Sequence, residues 1–456
     1  MATQQRISIH GQWSNRLAFI LAATGSAVGL GNIWKFPYIT GMNGGGAFVL
    51  VYLLCILCIG LPLLMAETML GRRGRQSPIN TMAALTAEEG GSPIWAWVGW
   101  LGVLAGFLIL SYYSVIAGWA LAYVFRAASG MFTGLNAEGI NTIFATFVSD
   151  PERLLAWHSI FMVMTMIVVA RGVQAGLEKA VRYMMPSLFI ILILLVMYAS
   201  TTGYFEAGFD FMFTPDFSKL TWEGVLVAMG HAFFTLSLGM GAIMMYGSYL
   251  PNGVSIAKTS LVIVSADTTV ALLAGMAIFP IVFAHGLEPA SGAGLIFKTL
   301  PIAFGQMDAG VLIGTLFFVL LVFAAWSSSI SLIEPAVAWL VENHGISRVS
   351  ASVYLGVSSW FLGIASILSF NYWEHIKLHG RTIFDWLDHL TANIMLPLGG
   401  LLIALFAGWV VSVKSSYEEM DNGRRGYALW LFLLRIVTPV AVILIFLNVS
   451  GLLDWI

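Results

Sequence analysis

Charged side chains are scarce in this sequence. Lys and Arg together number 21 and Asp and Glu 23 among 456 residues, so 10% of the chain is charged, against about a quarter in an ordinary soluble domain. The net charge of −2 excludes the basic surface that a nucleic-acid-binding protein needs. Apolar residues make up 59% of the chain and form long runs rather than the alternating segments of about ten residues that build a membrane β-barrel. The composition predicts a polytopic α-helical membrane protein.

Cysteine is also nearly absent. Cys55 and Cys58 lie in one apolar stretch, VYLLCILCIG. The stretch lacks the strand and turn that surround a redox Cys-x-x-Cys motif, and there is no second pair to complete a zinc site. We interpret both cysteines as packing residues.

The apolar runs predict eleven membrane helices, since about 20 apolar residues are needed to cross a bilayer. The N-terminal stretch MATQQRISIHGQW lacks the basic region and cleavage site of a signal peptide, so we expect the first helix to be retained. The predicted bounds are 15–41, 46–70, 93–127, 155–171, 176–202, 222–250, 258–286, 308–344, 349–370, 382–412 and 428–449.

The charges in the loops predict the orientation. Basic residues follow the second, sixth and eighth helices and lie in the fourth–fifth and tenth–eleventh connections, whereas the alternate loops carry mainly acids. By the positive-inside rule this places the N-terminus in the cytoplasm of an inner or plasma membrane. An odd number of helices then leaves the C-terminal GLLDWI outside. The 286–308 connection is too apolar for a free linker, and we expect it to pack as a lid over the outer face.

Two of the predicted helices contain poor helix formers in mid-span. The first is interrupted at AVGLGN and the sixth, five helices later, at FFTLSLGMG. Matched interruptions in two halves are typical of inverted repeats with a substrate site at the membrane midplane. Close packing through small residues is the alternative, but it explains two matched interruptions flanked by Asn32 and Thr235 less well. We therefore predict repeats over 1–202 and 203–412, with a loop and an extra helix over 413–456, all in one transporter domain.

Several motifs resemble one transporter family. NRLAFILAATGSAVGLGNIWKFPY, NGGGAF, PLLMAETMLGR, FFTLSLGMG and FAAWSSSIS are similar to segments of the neurotransmitter:sodium symporters, and the similarity runs along almost the whole chain. The resemblance implies the LeuT-type fold of the bacterial amino-acid transporters, in an eleven-helix member without the usual twelfth helix. It implies a symporter that uses sodium, works by alternating access and has no organic cofactor.

The resemblance implies a first sodium site at the first and sixth helices. Its ligands are the Ala27 carbonyl, the Asn32 side chain and Thr235, completed by the substrate carboxylate. A seventh-helix ligand falls on Asp267, or on Ala266 if the register differs by one residue. In chloride-independent relatives a carboxylate near this position replaces chloride, so we expect Asp267 to make chloride unnecessary. An intramembrane acid is functional by default.

A second sodium site is implied where the first helix approaches the eighth. The ligands carried over are the carbonyls of Gly25, Val28 and Ala324 with the hydroxyls of Ser327 and Ser328. A serine run alone is often interhelical hydrogen bonding, so the prediction depends on its pairing with the first-helix interruption.

The resemblance also places the substrate between the two interruptions. Tyr113 of SYYS is expected to hold a carboxylate together with helix N-termini, which suit an anion. Gly29 stands where monoamine transporters of the family carry an aspartate, so the substrate should bring its own carboxylate, as an α-amino acid does. Its ammonium is expected at the carbonyls of Ala27, Phe234, Thr235 and Ser237. The side-chain pocket is expected to be apolar, which favours a hydrophobic or aromatic amino acid, and to be lined by Ile109, Phe234, Met240, Ser328 and Leu332.

Further residues are expected to gate the pathway from the outside. Lys35 replaces the family's arginine and is expected to pair with Asp385, or alternatively Asp388, with less geometric definition than an arginine. Phe234 is expected to close over the substrate beside Tyr113. His231 is interpreted as a neutral, hydrogen-bonded residue, with a pH sensor as the alternative.

The inner face has its own candidate elements. Trp13 is expected to pack under the bundle, and Glu342 to form a latch whose basic partner falls on His10 or the nearby Arg6. Glu67 and Glu334 are intramembrane acids, expected to be hydrogen-bonded near the inner side of the first interruption. The segment 176–186, GLEKAVRYMMP, matches a Gly-x9-Pro element that permits unwinding of the fifth helix.

Three alternative functions make other demands on a sequence. A channel requires a continuous polar pore or a charged ring, and a membrane enzyme requires a catalytic set that the sequence does not contain. A sensor that binds substrate but hardly transports it is the third. The sequence favours a sodium-coupled symporter for a neutral amino acid; it does not predict the oligomeric state.

Overall fold

The described part of the chain is helical. The computed structural model of the protein describes residues 6, 8–287, 294–420 and 423–449. Nine helices in these residues are long and apolar enough to cross a membrane. They are Gly46–Gly74, Pro93–Ala128, Pro151–Ala170, Val173–Ala199, Ile256–Ala284, Gly310–His344, Arg348–Leu368, Ile383–Val410 and Gly423–Asn448.

Two further segments are interrupted helices, of which the first also passes as one membrane span. The first comprises Arg16–Ala27 and Gly31–Met42, which meet at a bend of 52°. The sixth comprises Trp222–Thr235 and Ala242–Ser248, separated by six non-helical residues. With these two, the described residues contain all eleven predicted segments in the predicted order. The multi-pass α-helical architecture expected from the composition is therefore confirmed.

The interruptions fall on the predicted residues and have identifiable backbone causes. Val28 leaves the helical region at φ −69° and ψ 104°. In the sixth segment Gly239 and Gly241 adopt φ values of 81° and 75°, in the left-handed region that glycine occupies at little cost. Ser237 between the two half-helices also has a positive φ, 54°, which is uncommon for a residue with a side chain.

The membrane helices pack against each other in defined pairs. The third and eighth helices lie along each other, the first packs on the seventh, and the second half of the sixth packs on the second. Gly106 allows the closest approach of the third and eighth helices, because a Cβ there would lie 2.7 Å from the Leu332 carbonyl oxygen. The first segment also contacts the fifth and eighth helices, and the sixth contacts the tenth and third. Each interrupted segment therefore packs against several continuous helices.

Shorter helices connect the membrane segments and were not predicted. They are too short to satisfy the length criterion for a membrane span. The clearest are Pro78–Glu88, Ala137–Val148, Phe205–Phe213 and Val413–Met420.

The 286–308 connection is described only in part, since 288–293 lie outside the described residues. Its second half forms the helical turns Leu295–Thr299 and Leu300–Gln306. There the Phe297 ring packs 5.7 Å from Trp119 and 5.1 Å from Tyr123. This half is buried, in agreement with its apolar sequence.

Candidate functional site

The two interrupted segments face each other and are joined by direct contacts. The Ser237 hydroxyl donates to the Ser26 carbonyl oxygen at 2.8 Å. On the other side, the Leu30 backbone N–H donates to the Tyr113 hydroxyl at 3.3 Å. Backbone groups that leave the helical pattern at this depth must find partners inside the protein, because lipid offers none. The predicted juxtaposition of the first, third and sixth helices is present.

A small cavity lies between these elements. Its volume is about 30 Å³, similar to the share of one water molecule in the liquid, so the walls must separate before an amino acid enters. None of the lining side chains is charged. The lining residues are Ser26, Ala27, Gly29, Leu30, Gly31, Ile109, Tyr113, Phe234, Ser237, Met240, Ser328 and Leu332.

Nearly every residue predicted for the substrate site lies in this lining. The exception is Thr235, whose hydroxyl turns away from the cavity toward Asn32. Ser26, Leu30 and Gly31 were not predicted as lining residues, although all three belong to the interrupted stretch whose polar and glycine-rich sequence marked the site. Their proximity to the cavity follows from the 52° bend, which a linear motif does not reveal.

Asn32, Thr235 and Asp267 form a buried polar cluster. The Asn32 amide nitrogen lies 3.0 Å from Thr235 Oγ1 and 2.7 Å from Asp267 Oδ1. The Thr235 hydroxyl donates to Asp267 Oδ2 at 3.1 Å, and the Asn32 side-chain oxygen accepts from the Gly29 N–H at 3.0 Å. Asp267 is fully buried, whereas Ala266 is partly exposed. Of the two alternatives for the seventh helix, Asp267 is the one placed against the first helix.

A second oxygen-rich cluster joins the first and eighth helices. The Ser328 hydroxyl lies 3.4 Å from the Gly25 carbonyl oxygen and 3.2 Å from that of Val28. The Ser327 hydroxyl lies 3.1 Å from the Ala324 carbonyl oxygen. The residues carried over for the second sodium site are thus brought together on facing helices.

Two glycines of the interrupted first helix allow side chains of neighbouring helices to come close to its backbone. A Cβ at Gly25 would lie 3.2 Å from Ser327 Cβ and 3.1 Å from Met185 Sδ. A Cβ at Gly29 would lie 2.7 Å from Ser328 Oγ and 3.0 Å from the Tyr113 hydroxyl. The first of these Gly29 distances is shorter than real Cβ contacts, so any side chain at Gly29 intrudes on the cavity.

Phe234 lies between the central cavity and a second one, called the outer cavity because the sequence predicts that this side faces outward. The outer cavity has a volume of about 260 Å³ and contains Lys35 and His231 in its lining. Lys35 Nζ lies 4.4 Å from the centre of the Phe234 ring, a cation–π contact. The ring nitrogens of His231 are buried and have no hydrogen-bond partner among the described residues, so the hydrogen bond expected for His231 is not found there.

The two aspartates considered for the outer gate make other contacts. Asp385 completes a capping box with Thr382 at the start of the tenth helix. Asp388 accepts from the Tyr112 hydroxyl at 3.3 Å. Neither aspartate forms an ion pair with Lys35 within the described ranges. In this conformation Lys35 is held by Phe234.

Trp13 and Glu342, the residues predicted for the inner gate, both make hydrogen bonds. The Trp13 indole N–H donates to the Tyr246 carbonyl oxygen at 3.0 Å. Glu342 Oε1 lies 3.1 Å from His10 Nε2 and accepts from the Ser77 backbone N–H at 2.8 Å. Of the two partners considered for Glu342, His10 is the adjacent one. The other, Arg6, is 3.2 Å from Glu88 instead.

The two intramembrane glutamates are both hydrogen-bonded. Glu67 Oε1 accepts from the Gly239 N–H at 2.7 Å, in the sixth-segment interruption, which faces the first. Glu334 accepts from the Tyr249 hydroxyl at 2.6 Å and pairs with Arg348. Their expected position near the inner side of the first interruption stays a prediction.

The fifth helix carries a contact that the sequence reading missed. Glu178 accepts from the Ser14 hydroxyl at 2.5 Å and pairs with Arg182 at 2.5 Å. This contact connects the start of the fifth helix to Ser14, two residues before the first helix begins. The 176–186 element is helical throughout in this conformation, over Val173–Glu178 and Lys179–Ala199.

Comparisons with known proteins agree with this geometry. A sequence profile of the sodium:neurotransmitter symporter family matches residues 10–136 and 149–452. An uncharacterized sodium-dependent transporter of Bacillus subtilis, YhdH, is 40% identical over 97% of this chain and 98% of its own. One from Haemophilus influenzae is 33% identical over 96% of this chain and 97% of its own.

A solved structure is similar over the whole fold. The crystal structure of MhsT in complex with L-phenylalanine superposes with a TM-score of 0.89 at 43% identity, covering 96% of this chain and 99% of that one. The fold expected from the first-helix motif is thereby confirmed. The chain belongs to the sodium:neurotransmitter symporter family, in its bacterial branch, and is a multi-pass, sodium-dependent transporter rather than an enzyme.

Proposed function

We propose that this transporter imports a neutral, hydrophobic or aromatic L-α-amino acid together with sodium by alternating access. The central cavity carries the proposal, because its lining has no charged side chain and Gly29 leaves no room for one. A substrate there must bring its own carboxylate, for which the Tyr113 hydroxyl is the lining donor. The L-phenylalanine bound by the similar MhsT supports a substrate with an apolar side chain.

The apolar part of the pocket is formed by Ile109, Phe234, Met240 and Leu332. Met240 is unbranched and flexible, so it adapts to side chains of different shape. The absence of an ionisable lining residue disfavours lysine, arginine, aspartate and glutamate as substrates, since a buried unpaired charge is costly. Among neutral amino acids, large apolar ones gain most from this pocket.

We place two sodium ions at the two oxygen-rich clusters. The first uses the Ala27 carbonyl, Asn32, Thr235 and Asp267, with the substrate carboxylate completing the shell. The Asn32 amide carries one oxygen and one nitrogen, so a sodium ion requires this side chain to turn its oxygen toward Thr235 and Asp267.

The second proposed ion uses the carbonyls of Gly25, Val28 and Ala324 with the hydroxyls of Ser327 and Ser328. Hydroxyl distances of 3.1–3.4 Å to these carbonyl oxygens support the placement, because a small adjustment converts a hydrogen-bonded cluster into a cation shell. Both clusters include first-helix residues that flank the substrate cavity. Ion and substrate binding are therefore expected to favour each other, reciprocally.

Asp267 supports chloride-independent transport. When it is ionised, its carboxylate supplies a negative charge beside Asn32 and Thr235, where a chloride-dependent transporter requires a bound anion. The gates in this proposal are Lys35 with Asp385 or Asp388 outside and Trp13 with Glu342 inside.

The paired packing of the helices supports two inverted repeats, 1–202 and 203–412, followed by an additional 413–456 unit. The first–seventh contact is matched by the sixth–second contact, and the first–fifth by the sixth–tenth. Movement of one set of helices against the other would open the site alternately to each side. The loop charges support a cytoplasmic N-terminus and an external C-terminus.

Uptake by purified protein in liposomes tests the proposal. We expect saturable uptake of L-phenylalanine or a similar amino acid that requires an inward sodium gradient and persists when gluconate replaces chloride. Equal uptake with and without sodium would refute the coupling. Substrate-independent current would indicate a channel, and sodium-dependent binding without counterflow would indicate a sensor.

A further inference from the structure

A groove opens on the outer surface of the bundle between the fourth, fifth and eighth helices. Its volume is about 360 Å³, and it is separate from the substrate cavity. All three helices belong to segments long and apolar enough to cross a membrane, so the groove opens toward lipid. The lining residues are Val168, Arg171, Ala175, Gly176, Lys179, Ala180, Tyr183, Met184, Ser187, Phe323 and Trp326.

One end of the groove is cationic. Arg171 and Lys179 lie where the fourth helix ends and the fifth begins, and both are exposed. Neither forms an ion pair within the described ranges. The nearby Glu178 does not neutralise them, since it is paired with Arg182 at 2.5 Å. Two positive charges therefore face the membrane surface without an acidic partner.

The remainder of the groove is mainly apolar. Val168, Met184 and Phe323 form its wall, and Tyr183, 67% exposed, stands at the rim between the apolar wall and the cations. Tyrosine suits such a boundary, because its ring is apolar and its hydroxyl polar. The groove thus has a cationic end at the membrane surface and a hydrocarbon-like body, which is the chemistry of one phospholipid.

We propose that this groove binds one anionic phospholipid of the leaflet that borders the fourth–fifth connection. Its phosphate lies at Arg171 and Lys179, and one acyl chain runs along Val168, Met184 and Phe323. The paired cations favour a lipid with net negative charge over a zwitterionic one, whose own ammonium or choline group would meet them.

Lipid titration of the purified full-length protein in a non-ionic detergent, followed by native mass spectrometry, tests the proposal. We expect one saturable phosphatidylglycerol and no saturable phosphatidylcholine. In the Arg171→Gln/Lys179→Gln variant the affinity for phosphatidylglycerol should fall about thirty-fold, since one interfacial cation contributes roughly five-fold. The matched control is Arg424→Gln/Arg425→Gln, which removes two exposed cations elsewhere and should leave the affinity within about two-fold.

A second variant tests the groove without changing its charge. Ala175 is an exposed lining residue, so Ala175→Phe fills the groove with little risk to folding and should also weaken phosphatidylglycerol binding. Equal binding of the two lipids, wild-type affinity in both groove variants, or equal losses in the control would overturn the proposal. Competition by soluble glycerol phosphate as effective as by phosphatidylglycerol would show a simple anion site and overturn it too.

Discussion

Asp267 on the seventh helix contacts Asn32 on the interrupted first helix, with 2.7 Å between Asp267 Oδ1 and the Asn32 amide nitrogen. Its other carboxylate oxygen accepts from Thr235 on the interrupted sixth segment. One buried carboxylate therefore bridges both interruptions. This position allows it to respond to any ion or substrate that enters between them.

Replacement of Asp267 by asparagine is expected to make transport depend on chloride. The substitution retains the shape but removes the negative charge, so uptake without chloride should fall about ten- to hundred-fold, since hydrogen bonds to a charged group contribute about 1.5–3 kcal/mol. Chloride should restore part of the rate. Uptake in liposomes, in chloride and gluconate, measures both effects.

The matched control for this variant is Asp210→Asn, which neutralises an exposed acid outside the site. It should leave uptake unchanged in both media. Wild-type uptake by Asp267→Asn without chloride would contradict the proposed role of the carboxylate.

Asn32→Ala is expected to abolish the sodium-dependent gain in substrate affinity. The alanine supplies no side-chain oxygen for the ion. Couplings of this kind commonly change the affinity about 5- to 150-fold, and we expect the effect of sodium on substrate affinity to disappear. Thermal-shift titrations of the amino acid with and without sodium measure it. Asn343→Ala, at an exposed amide that bonds only its own helix, is the control; a retained sodium effect in Asn32→Ala would reject the first-site assignment.

Gly29→Ala is expected to eliminate substrate binding while the protein remains folded. The added methyl would lie 2.7 Å from Ser328 Oγ and 3.0 Å from the Tyr113 hydroxyl, in the space proposed for the substrate carboxylate. Radioligand binding measures the loss. The control is Gly230→Ala, where a Cβ meets nothing within 4 Å; it should bind normally, and normal binding by Gly29→Ala would argue against this carboxylate position.

The interrupted helices and most of the cavity were predictable because their sequence signals are local. Glycines and polar residues in an apolar run mark an interruption wherever it lies, and the residues matching a family motif keep their relative positions. Ser26, Leu30 and Gly31 escaped prediction as lining residues because their placement depends on the bend between the two half-helices.

Contacts between distant parts of the chain were harder to predict. Glu67 reaches the sixth interruption through the packing of the second helix against Met244, where Gly71 allows an approach that a Cβ would block at 1.9 Å. Likewise, the choice of His10 over Arg6 beside Glu342 depends on where the N-terminal segment crosses the inner face. Hydropathy and loop charge do not predict either of these two contacts.

Ser327→Ala is expected to weaken sodium binding more than folding. The hydroxyl bonds only carbonyl oxygens of its own helix, at 3.1 Å, so its removal should lower stability by no more than about 1 kcal/mol. If it ligates the second sodium ion, the sodium concentration for half-maximal uptake should rise about ten-fold or more.

The control for Ser327→Ala is Ser114→Ala, another buried serine whose hydroxyl bonds a carbonyl of its own helix at 2.7 Å. Similar stability changes in both variants, with a sodium shift only in Ser327→Ala, are the expected pattern. A sodium shift of equal size in both would assign the effect to packing rather than to ligation.

Glu342→Gln is expected to shift the transporter toward an inward-open conformation. Glu342 accepts bonds from the Ser77 N–H and from the Asn80 amide at 2.8 Å, and an amide in its place loses one acceptor oxygen and the charge. The loss should destabilise the conformation with a closed inner face by about 1.5–3 kcal/mol, and so raise the population of the inward-open conformation about ten-fold or more.

Maleimide labelling of a Met185→Cys reporter measures the inward-open population, because Met185 is buried here beside Gly25. Cys55 and Cys58 are first replaced by serine. The control is Glu418→Gln, which removes the same charge from an exposed position outside the gate. If Glu342→Gln is labelled as slowly as Glu418→Gln, Glu342 does not hold the inner face shut.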